Sequence, residues 1–207
     1  MENIQFYSEE TRKFYKLVET ETWPTVVISG IRMHRTDKID PKTDTILKLK
    51  AIGKIKGKVL DTCCGLGYTS ILASRYAYQV FTFEKDKNMI KIAKLNKHSS
   101  DLFSKNNVFL SINDSFAAVK SLKNSFFDFI IHDPPRFSFA PELYSLEFYK
   151  ELYRILKPQG KLYHYTGSPG SKNGKNLPKG IINRLLLAGF NKAYREYASQ
   201  GVVALKF

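Results

Sequence analysis

The stretch VLDTCCGLGYTS, residues 59–70, passes from an apolar run through two closely spaced glycines into a helical pattern. Asp61 ends the apolar run, and Gly65 and Gly67 allow the backbone to turn sharply and to approach a ligand closely. In open α/β sheets, ligands bind at the carboxyl ends of the strands, where such turns lie. The stretch therefore predicts a strand, a ligand-binding loop and a helix in succession.

The same alternation extends through the rest of the chain. Apolar runs separated by helical patterns occupy residues 57–64, 78–85, 107–114, 126–133 and 160–167. Strands separated by helices form βαβ units, in which the strands are parallel and helices cover both faces of the sheet. Two further strands around a turn at Gln200 and Gly201 are predicted in the tail. The expected fold class is α/β, with a Rossmann-like, mostly parallel, seven-stranded sheet.

The residues before this sheet are predicted to form a small N-terminal extension, residues 1–52, with residues 53–207 as the ligand-binding domain. Within the extension we expect a helix from Glu9 to Thr20, a hairpin over residues 25–36 and an amphipathic helix after the Asp40–Pro41 turn. We expect the extension to contribute to the substrate side of the site.

Composition indicates a soluble, cytoplasmic protein with a polyanionic partner. The chain has 33 Lys and Arg against 19 Asp and Glu, a net charge of +14, which favours nucleic acid over a merely solvated surface. No apolar run approaches the ~20 residues that a membrane span needs, and the chain does not start with a signal-peptide pattern. Cys63 and Cys64 are adjacent, and no Cys/His spacing predicts a metal site.

Charged residues near the glycines indicate what the loop binds. Glu84 ends the second strand, about 20 residues after Asp61, where a carboxylate can accept hydrogen bonds from both ribose hydroxyls of an adenosine. Ser70 stands where a dinucleotide-binding loop has its third glycine, and no Walker A lysine is present. Asp61 would repel a pyrophosphate, but it suits a cationic ligand such as S-adenosylmethionine, which carries a sulfonium and an ammonium group.

Five stretches resemble, in order, the motifs of the class I, Rossmann-like, S-adenosylmethionine-dependent methyltransferases. They are residues 59–70, Glu84, the IND at 112–114, the HDPPR at 132–136 and the LKPQGKLY at 156–163. The resemblance implies S-adenosyl-L-methionine as the cofactor. It implies that the residues contacting this cofactor are Asp61, Cys63, Gly65, Gly67, Glu84, Lys85, Asp114, Ser115 and Asp133.

A narrower resemblance concerns HDPPRFS at 132–138 and ISGIRMHRTDKIDPKTDT at 28–45, which are similar to stretches of a group of small archaeal methyltransferases. Amino methylation of RNA, including cytosine N4 in ribosomal RNA, is attributed to relatives of that group. The resemblance therefore implies an RNA partner, with ribosomal RNA favoured over transfer RNA, and no metal.

The stretch FDFIIHDPPRFS, residues 127–138, predicts the catalytic corner. Proline fixes φ and removes a backbone donor, and the residue before it is held extended, so Asp133, Pro134 and Pro135 form a rigid step. The Asp133 carboxylate and the Pro134 carbonyl can accept both N–H groups of an exocyclic amine and aim its lone pair at a methyl group. The step resembles the Asp/Asn/Ser-Pro-Pro-aromatic motif of amino methyltransferases. His132 faces the opposite side of the strand and is interpreted as a core residue.

Arg136 stands where that motif has an aromatic residue. Its guanidinium could stack on a base, hold a phosphate or form a surface ion pair, and Phe137 or Phe139 could supply the missing ring. Basic segments at 32–38 and 167–180, the latter with Lys172, Lys175 and Lys179, could border the pocket. The predicted substrate-binding residues are Arg136, Phe137, His34, Arg35 and Tyr165.

Several other activities share these motifs. Pyrimidine C5 methyltransferases attack the base with a cysteine, but both cysteines of this chain lie in the cofactor loop, so a nitrogen target is favoured. Aminopropyl transfer of the spermidine-synthase type uses the same fold, but it usually has an acidic pocket where this chain has DPPRFS. Methylation of a small molecule or protein, and RNA binding without catalysis, remain alternatives. The leading hypothesis is methylation of an exocyclic amine in RNA.

Overall fold

The computed structural model describes residues 4–167 and 176–207. The first four strands of the chain form an antiparallel sheet. The first sheet has the order β1-β2-β3-β4 and consists of β1 (Gln5–Ser8), β2 (Lys13–Val18), β3 (Thr25–Ile28) and β4 (Ile31–Arg32). The hairpin predicted over residues 25–36 is confirmed as β3 and β4, whose turn contains Ser29 and Gly30 with positive φ.

The helix predicted from Glu9 to Thr20 is wrong, because this segment contains β2. The backbone of β2 pairs with β1 on one side and with β3 on the other. Tyr15, in the middle of the strand, is fully buried. Strand preference depends on the neighbours that a strand packs against, and here those neighbours outweigh the local pattern of charged residues.

The second sheet is the predicted seven-stranded sheet. Its strands are β5 (Lys58–Asp61), β6 (Gln79–Glu84), β7 (Val108–Ile112), β8 (Phe127–His132), β9 (Leu156–Tyr165), β10 (Lys192–Glu196) and β11 (Gly201–Leu205). The order is β10-β11-β9-β8-β5-β6-β7, in which β5 to β9 are parallel, β11 is antiparallel to β9, and β10 is antiparallel to β11. The strand order reverses between β5 and β8, and ligands of open α/β sheets bind at such a reversal.

Seven α-helices are present in the described residues. They are α1 (Pro41–Ile52), α2 (Tyr68–Ala73), α3 (Lys87–Leu95), α4 (Ser100–Ser104), α5 (Ser115–Ala118), α6 (Leu146–Ile155) and α7 (Leu177–Leu187). Asp40 begins α1 by accepting a hydrogen bond from the Thr43 amide, as the predicted Asp-Pro turn requires. Among the described helices, none is long and apolar enough to cross a membrane.

Three apolar clusters place helices on both faces of the large sheet. One lies under α6 and α7, a second lies under α1 and α2, and a third packs the first sheet against α2, α3 and α4. Tyr15 of β2 donates a hydrogen bond to Asp86 Oδ2, just before α3, at 2.6 Å. The first sheet is therefore fixed against the strand that ends in Glu84.

Candidate active site

A cavity of about 1470 Å³ opens at the carboxyl ends of β5, β6 and β8. The glycine loop lines one side, residues 133–140 line another, and the segment before α1 completes the wall. Among the predicted site residues, most line this cavity: Cys63, Gly65, Glu84, Lys85, Asp114, Ser115, Asp133, Pro134, Pro135, Arg136, Phe137, His34, Arg35 and Tyr165. Asp61 and Gly67 do not.

The cofactor end of the cavity combines open space with a carboxylate. Gly65 has φ +55°, and a Cβ added there would meet no atom within 4 Å. Its amide donates to Glu84 Oε2 at 2.9 Å, and the Asp86 amide donates to Glu84 Oε1 at 2.9 Å. Burial raises the pKa of Glu84 to about 7. The Gly65 loop and Glu84 together suit an adenosine, because a ligand can approach the glycine backbone closely while its ribose hydroxyls reach the Glu84 carboxylate.

Asp61 lies beneath the loop instead of facing the cavity. It is fully buried, and its Oδ2 accepts hydrogen bonds from the hydroxyls of Thr69 at 2.5 Å and Ser70 at 2.8 Å. Burial raises the pKa of Asp61 to about 6. Its Oδ1 accepts a hydrogen bond from the Cys63 amide at 3.3 Å, so both carboxylate oxygens have protein partners, and the contact between Asp61 and a cationic ligand stays a prediction.

Gly67 also has a structural reason to be glycine. It has φ +79°, and an added Cβ would lie 2.7 Å from Leu102 Cδ2. The helix predicted to follow the loop is α2, which begins at Tyr68. Gly67 therefore shapes the loop for close packing, whereas Gly65 faces the cavity.

Three predicted residues meet at the ends of β6 and β7. Lys85 Nζ lies 3.4 Å from Asp114 Oδ2, and both side chains are about half exposed. Asp114 Oδ1 accepts a hydrogen bond from the Phe116 amide at 2.8 Å, which begins α5. The Ser115 hydroxyl donates to the Thr62 carbonyl in the glycine loop. These contacts tie three of the predicted cofactor-contacting residues to each other and to the glycine loop.

The Asp-Pro-Pro step is held rigidly at the end of β8. The Tyr144 hydroxyl donates to the Pro135 carbonyl at 2.8 Å. His132 is fully buried; its Nδ1 lies 2.7 Å from Thr62 Oγ1 and its Nε2 lies 2.9 Å from the Leu143 carbonyl. Burial lowers the pKa of His132 to about 3, so the ring is neutral. The interpretation of His132 as a core residue is confirmed.

A buried ion pair at Asp133 is absent from the sequence prediction. Lys48 Nζ of α1 lies 2.6 Å from Asp133 Oδ2 and 2.8 Å from Asp44 Oδ2, and its side chain is only 3% exposed. Asp44 is fully buried, and its Oδ1 lies 3.0 Å from Arg35 Nη1. The four side chains carry two positive and two negative charges. We call Asp133, Lys48, Asp44 and Arg35 the charge cluster.

Burial and the ion pair act in opposite directions on Asp133. Burial raises the pKa of Asp133 above its ordinary value, and the Lys48 ammonium opposes this rise. The Tyr165 ring packs against the charge cluster, with Lys48 Nζ 4.4 Å from the ring centre. The only sequence signal for the cluster is the Asp44–Lys48 spacing of four residues, which normally indicates a solvent-exposed helix pair.

The other residues predicted to bind substrate already have protein partners. His34 Nδ1 lies 3.0 Å from Thr25 Oγ1, and burial together with the Lys48 charge lowers the pKa of His34 to about 3. Arg35 Nη1 also donates to the Ala198 carbonyl at 3.1 Å. Both residues line the wall of the cavity, and Arg35 also contacts α1 through Asp44.

The cavity rim carries the exposed residues of the DPPRFS segment. Arg136 is exposed and has no ion-pair partner within residues 4–167 and 176–207. Phe137 is 49% exposed and Phe139 is 58% exposed. Of the predicted basic segment at 167–180, Lys172 and Lys175 fall outside the described residues, and Lys179 is exposed on α7.

Sequence comparison gives a family and two relatives. Residues 35–172, about two-thirds of the chain, match the family described as Conserved hypothetical protein 95. An uncharacterized protein of Methanocaldococcus jannaschii is 50% identical over 195 residues, which cover 93% of this chain and 67% of that protein. A 23S rRNA (uracil-C5) methyltransferase of Legionella pneumophila is 37% identical over 79 residues, or 38% of this chain and 17% of that enzyme.

Solved structures show the same fold. A spermidine synthase in complex with the transition-state analogue AdoDATO superposes with a TM-score of 0.78 at 22% identity, covering 98% of this chain and 73% of that one. A Methanococcus maripaludis protein assigned as an S-adenosylmethionine-dependent methyltransferase gives 0.55 at 20% identity, covering 80% and 85%. The chain belongs to the Conserved hypothetical protein 95 family and has the class I, S-adenosylmethionine-dependent methyltransferase fold.

Proposed function

We propose that the protein transfers a methyl group from S-adenosylmethionine to an exocyclic amino group of an RNA base, with cytosine N4 of ribosomal RNA as the specific candidate, in the cytoplasm. The observation that carries this proposal is the position of Asp133. Its carboxylate lies on the wall of the same cavity as the open Gly65 loop and Glu84, and one of its oxygens is held by Lys48.

The residues present suit an in-line methyl transfer. Bound S-adenosylmethionine supplies an electrophilic methyl group. Glu84 accepts hydrogen bonds from the ribose hydroxyls, and Asp133 Oδ1 accepts an N–H of the target amine. The rigid Pro134 and Pro135 hold that acceptor in place, so the amine lone pair is oriented before the reaction begins. Positioning and fixed electrostatics of this kind account for most of the rate acceleration in such reactions.

Charge and the cavity rim support RNA as the substrate. The net charge of +14 favours a polyanion, and Phe137, Phe139 and Arg136 stand exposed beside the corner. Aromatic rings and guanidinium planes are the groups on which unstacked RNA bases pack. The Legionella relative acts on 23S rRNA. We therefore propose that the rim receives a base displaced from its stack.

A nitrogen target is favoured over a carbon target by the chemistry of the cysteines. Attack on a pyrimidine ring requires a thiolate. Cys63 and Cys64 lie in the glycine loop, and burial raises the pKa of both thiols well above the ordinary value. A raised pKa disfavours the thiolate, whereas methylation of an amine requires no nucleophilic side chain.

Aminopropyl transfer is the second candidate. The spermidine synthase fold covers 98% of the chain, including the N-terminal sheet. The charge cluster argues against this candidate, because Lys48 cancels the charge of Asp133 where a polyamine would need an acidic group. A polycation would also approach a strongly basic protein against electrostatic repulsion.

Methyl-labelled S-adenosylmethionine and total RNA from the source organism test the proposal. After incubation and digestion to nucleosides, we expect the label in a base-amine product such as N4-methylcytidine. Asp133→Ala should lower the rate at least ~100-fold and leave cofactor affinity nearly unchanged. Asp128→Ala, which breaks a 2.9 Å pair with Lys157 outside the charge cluster, is the control.

Two results would overturn the proposal. The first is a label found in protein or a small molecule but not in RNA bases. The second is transfer from decarboxylated S-adenosylmethionine to putrescine at a rate that exceeds RNA methylation, which would establish the aminopropyl alternative.

A further inference from the structure

We infer that Lys48 is a positioning residue for the methyl transfer: it fixes Oδ2 of Asp133 and keeps the carboxylate ionised, which leaves Oδ1 as the oxygen that accepts the N–H of the substrate. The inference rests on the proposed function for the role of Oδ1. Its structural part, the control of Asp133 by Lys48, stands on the contacts of the charge cluster alone.

The first step of the argument is the cost of burying Lys48. A lysine ammonium removed from water loses favourable hydration, which a single ion pair only partly offsets. Lys48 is 3% exposed, and two carboxylates contact it, from Asp133 at 2.6 Å and from Asp44 at 2.8 Å. Its Nζ therefore has a fixed position between two acceptors, and Asp133 Oδ2 is fixed with it.

The second step concerns Asp44, whose own charge is neutralised from the opposite side. Arg35 Nη1 lies 3.0 Å from Asp44 Oδ1 and also donates to the Ala198 carbonyl. Arg35 thus weakens the electrostatic attraction between Asp44 and the Lys48 ammonium. Through the Ala198 carbonyl, Arg35 also attaches the charge cluster to the turn before β11. This arrangement explains why a helix outside the glycine and Asp-Pro-Pro motifs carries two buried charges.

The third step is the asymmetry of Asp133. Lys48 contacts Oδ2, and within residues 4–167 and 176–207 no hydrogen bond to Oδ1 is present. The Asp133 side chain is 23% exposed, whereas Lys48 is almost completely enclosed. Oδ2 of Asp133 is therefore bound to Lys48, whereas Oδ1 remains at the cavity wall as a hydrogen-bond acceptor.

Several other titratable groups surround Asp133 and Lys48, and they set the background for any measurement. Asp44, Arg35 and His34 come from α1 and the segment before it, and Tyr163 and Tyr165 come from β9. Asp61 lies at the end of β5, Cys63 lies in the glycine loop, and Tyr144 faces the corner from the segment before α6. Of these, Asp44 is the carboxylate that, like Asp133, contacts Lys48.

The test measures the Asp133 pKa directly in the cofactor-free protein by carboxyl ¹³C NMR with labelled aspartate. The resonance is assigned by its loss in Asp133→Asn. Lys48→Met removes the favourable charge, so the Asp133 pKa should rise by about one to three units. Asp44→Asn removes the opposing negative charge, so the Asp133 pKa should fall. Lys157→Met, which breaks the pair with Asp128, should leave it unchanged.

Rate profiles against pH give the second readout. The acidic limb of RNA methylation should move to higher pH in Lys48→Met and to lower pH in Asp44→Asn. Loss of stability alone does not produce shifts of opposite sign. Asp44→Asn keeps the inference testable even when Lys48→Met does not fold.

Each result decides one of the two proposals. Unchanged Asp133 titration in Lys48→Met, or shifts of the same sign in both variants, would overturn the role of Lys48. The expected NMR shifts without any methylation of RNA would uphold the Lys48–Asp133 coupling and overturn the proposed function. NMR shifts without movement of the acidic limb would show that the ionisation of Asp133 does not govern the reaction.

Discussion

The pH dependence of nucleoside binding tests the cofactor end of the site through Glu84. Both carboxylate oxygens accept backbone hydrogen bonds, from the Gly65 and Asp86 amides, each at 2.9 Å. Burial raises the pKa of Glu84 to about 7. A ribose hydroxyl donates more strongly to an ionised carboxylate than to a neutral carboxyl group. Adenosine binding should therefore strengthen as the pH rises through 7 and become constant above it.

The magnitude follows from proton linkage. If only the ionised form of Glu84 binds, ligand binding below pH 7 must release one proton, and affinity falls by up to about tenfold for each unit below the pKa. Between pH 8 and pH 6 the dissociation constant should therefore increase by roughly tenfold. The direction follows from the raised pKa, because an ordinary glutamate would already be ionised at pH 6.

The assay is calorimetric titration of 5′-methylthioadenosine from pH 5.5 to 8.5. This ligand has the ribose and the adenine but lacks the amino-acid group, which would otherwise titrate in the same range. Glu84→Gln should bind more weakly and with little dependence on pH. Asp61, whose pKa is raised to about 6, and Asp133, whose pKa is also raised, are still present in that variant, so any remaining slope reports on these two carboxyl groups. A wild-type affinity that stays flat across the range would refute the role of the Glu84 carboxylate.

Substitutions at two glycines and one tyrosine should separate ligand binding from stability. Gly67→Ala combines φ +79° with a 2.7 Å approach to Leu102 and should lower the free energy of unfolding by about 2 to 4 kcal/mol. The added methyl group of Gly65→Ala meets no neighbour, so the free energy of unfolding in chemical denaturation should fall by only about 1 kcal/mol. The same variant should bind 5′-methylthioadenosine at least ~10-fold more weakly. Equal losses of stability in both glycine variants would contradict this reasoning. Tyr15→Phe removes the 2.6 Å hydrogen bond to Asp86, and the free energy of unfolding should fall by about 1.5 to 3 kcal/mol; an unchanged melting temperature would contradict it.

The large sheet could be predicted from the sequence because its signals are local. Each parallel strand from β5 to β9 contains an apolar run and is followed by a helix, and the Asp40–Pro41 turn specifies the start of α1. The segment from Glu9 to Thr20 has no comparable signal. Its strand β2 is defined by partners on both sides, one of which, β3, lies after an intervening loop, and a single sequence does not display that pairing.

The site was predictable to the extent that its residues follow strand ends. Glu84, Asp114 and Asp133 each lie within two residues of the carboxyl end of a parallel strand, and parallel strands bring these ends to one edge of the sheet. Asp61 also ends a strand, but its side chain points under the loop, where the hydroxyls of α2 contact it. Strand position predicts the edge of the sheet at which a residue lies and leaves the direction of its side chain undetermined.

The position of α1 has a consequence for the division of the chain. The sequence assigns this helix to an N-terminal extension, yet Leu49 and Ile52 pack in the same apolar cluster as β5, β8 and β9. Leu49 and Ile52 fix the helix against the sheet, and Lys48 on the same helix reaches Asp133. The family match begins at residue 35, so it contains Arg35, Asp44 and Lys48 together with the glycine loop. A helix that only covered the sheet would need apolar residues on its buried side, whereas α1 also buries Asp44 and Lys48, as the proposed role of Asp133 requires.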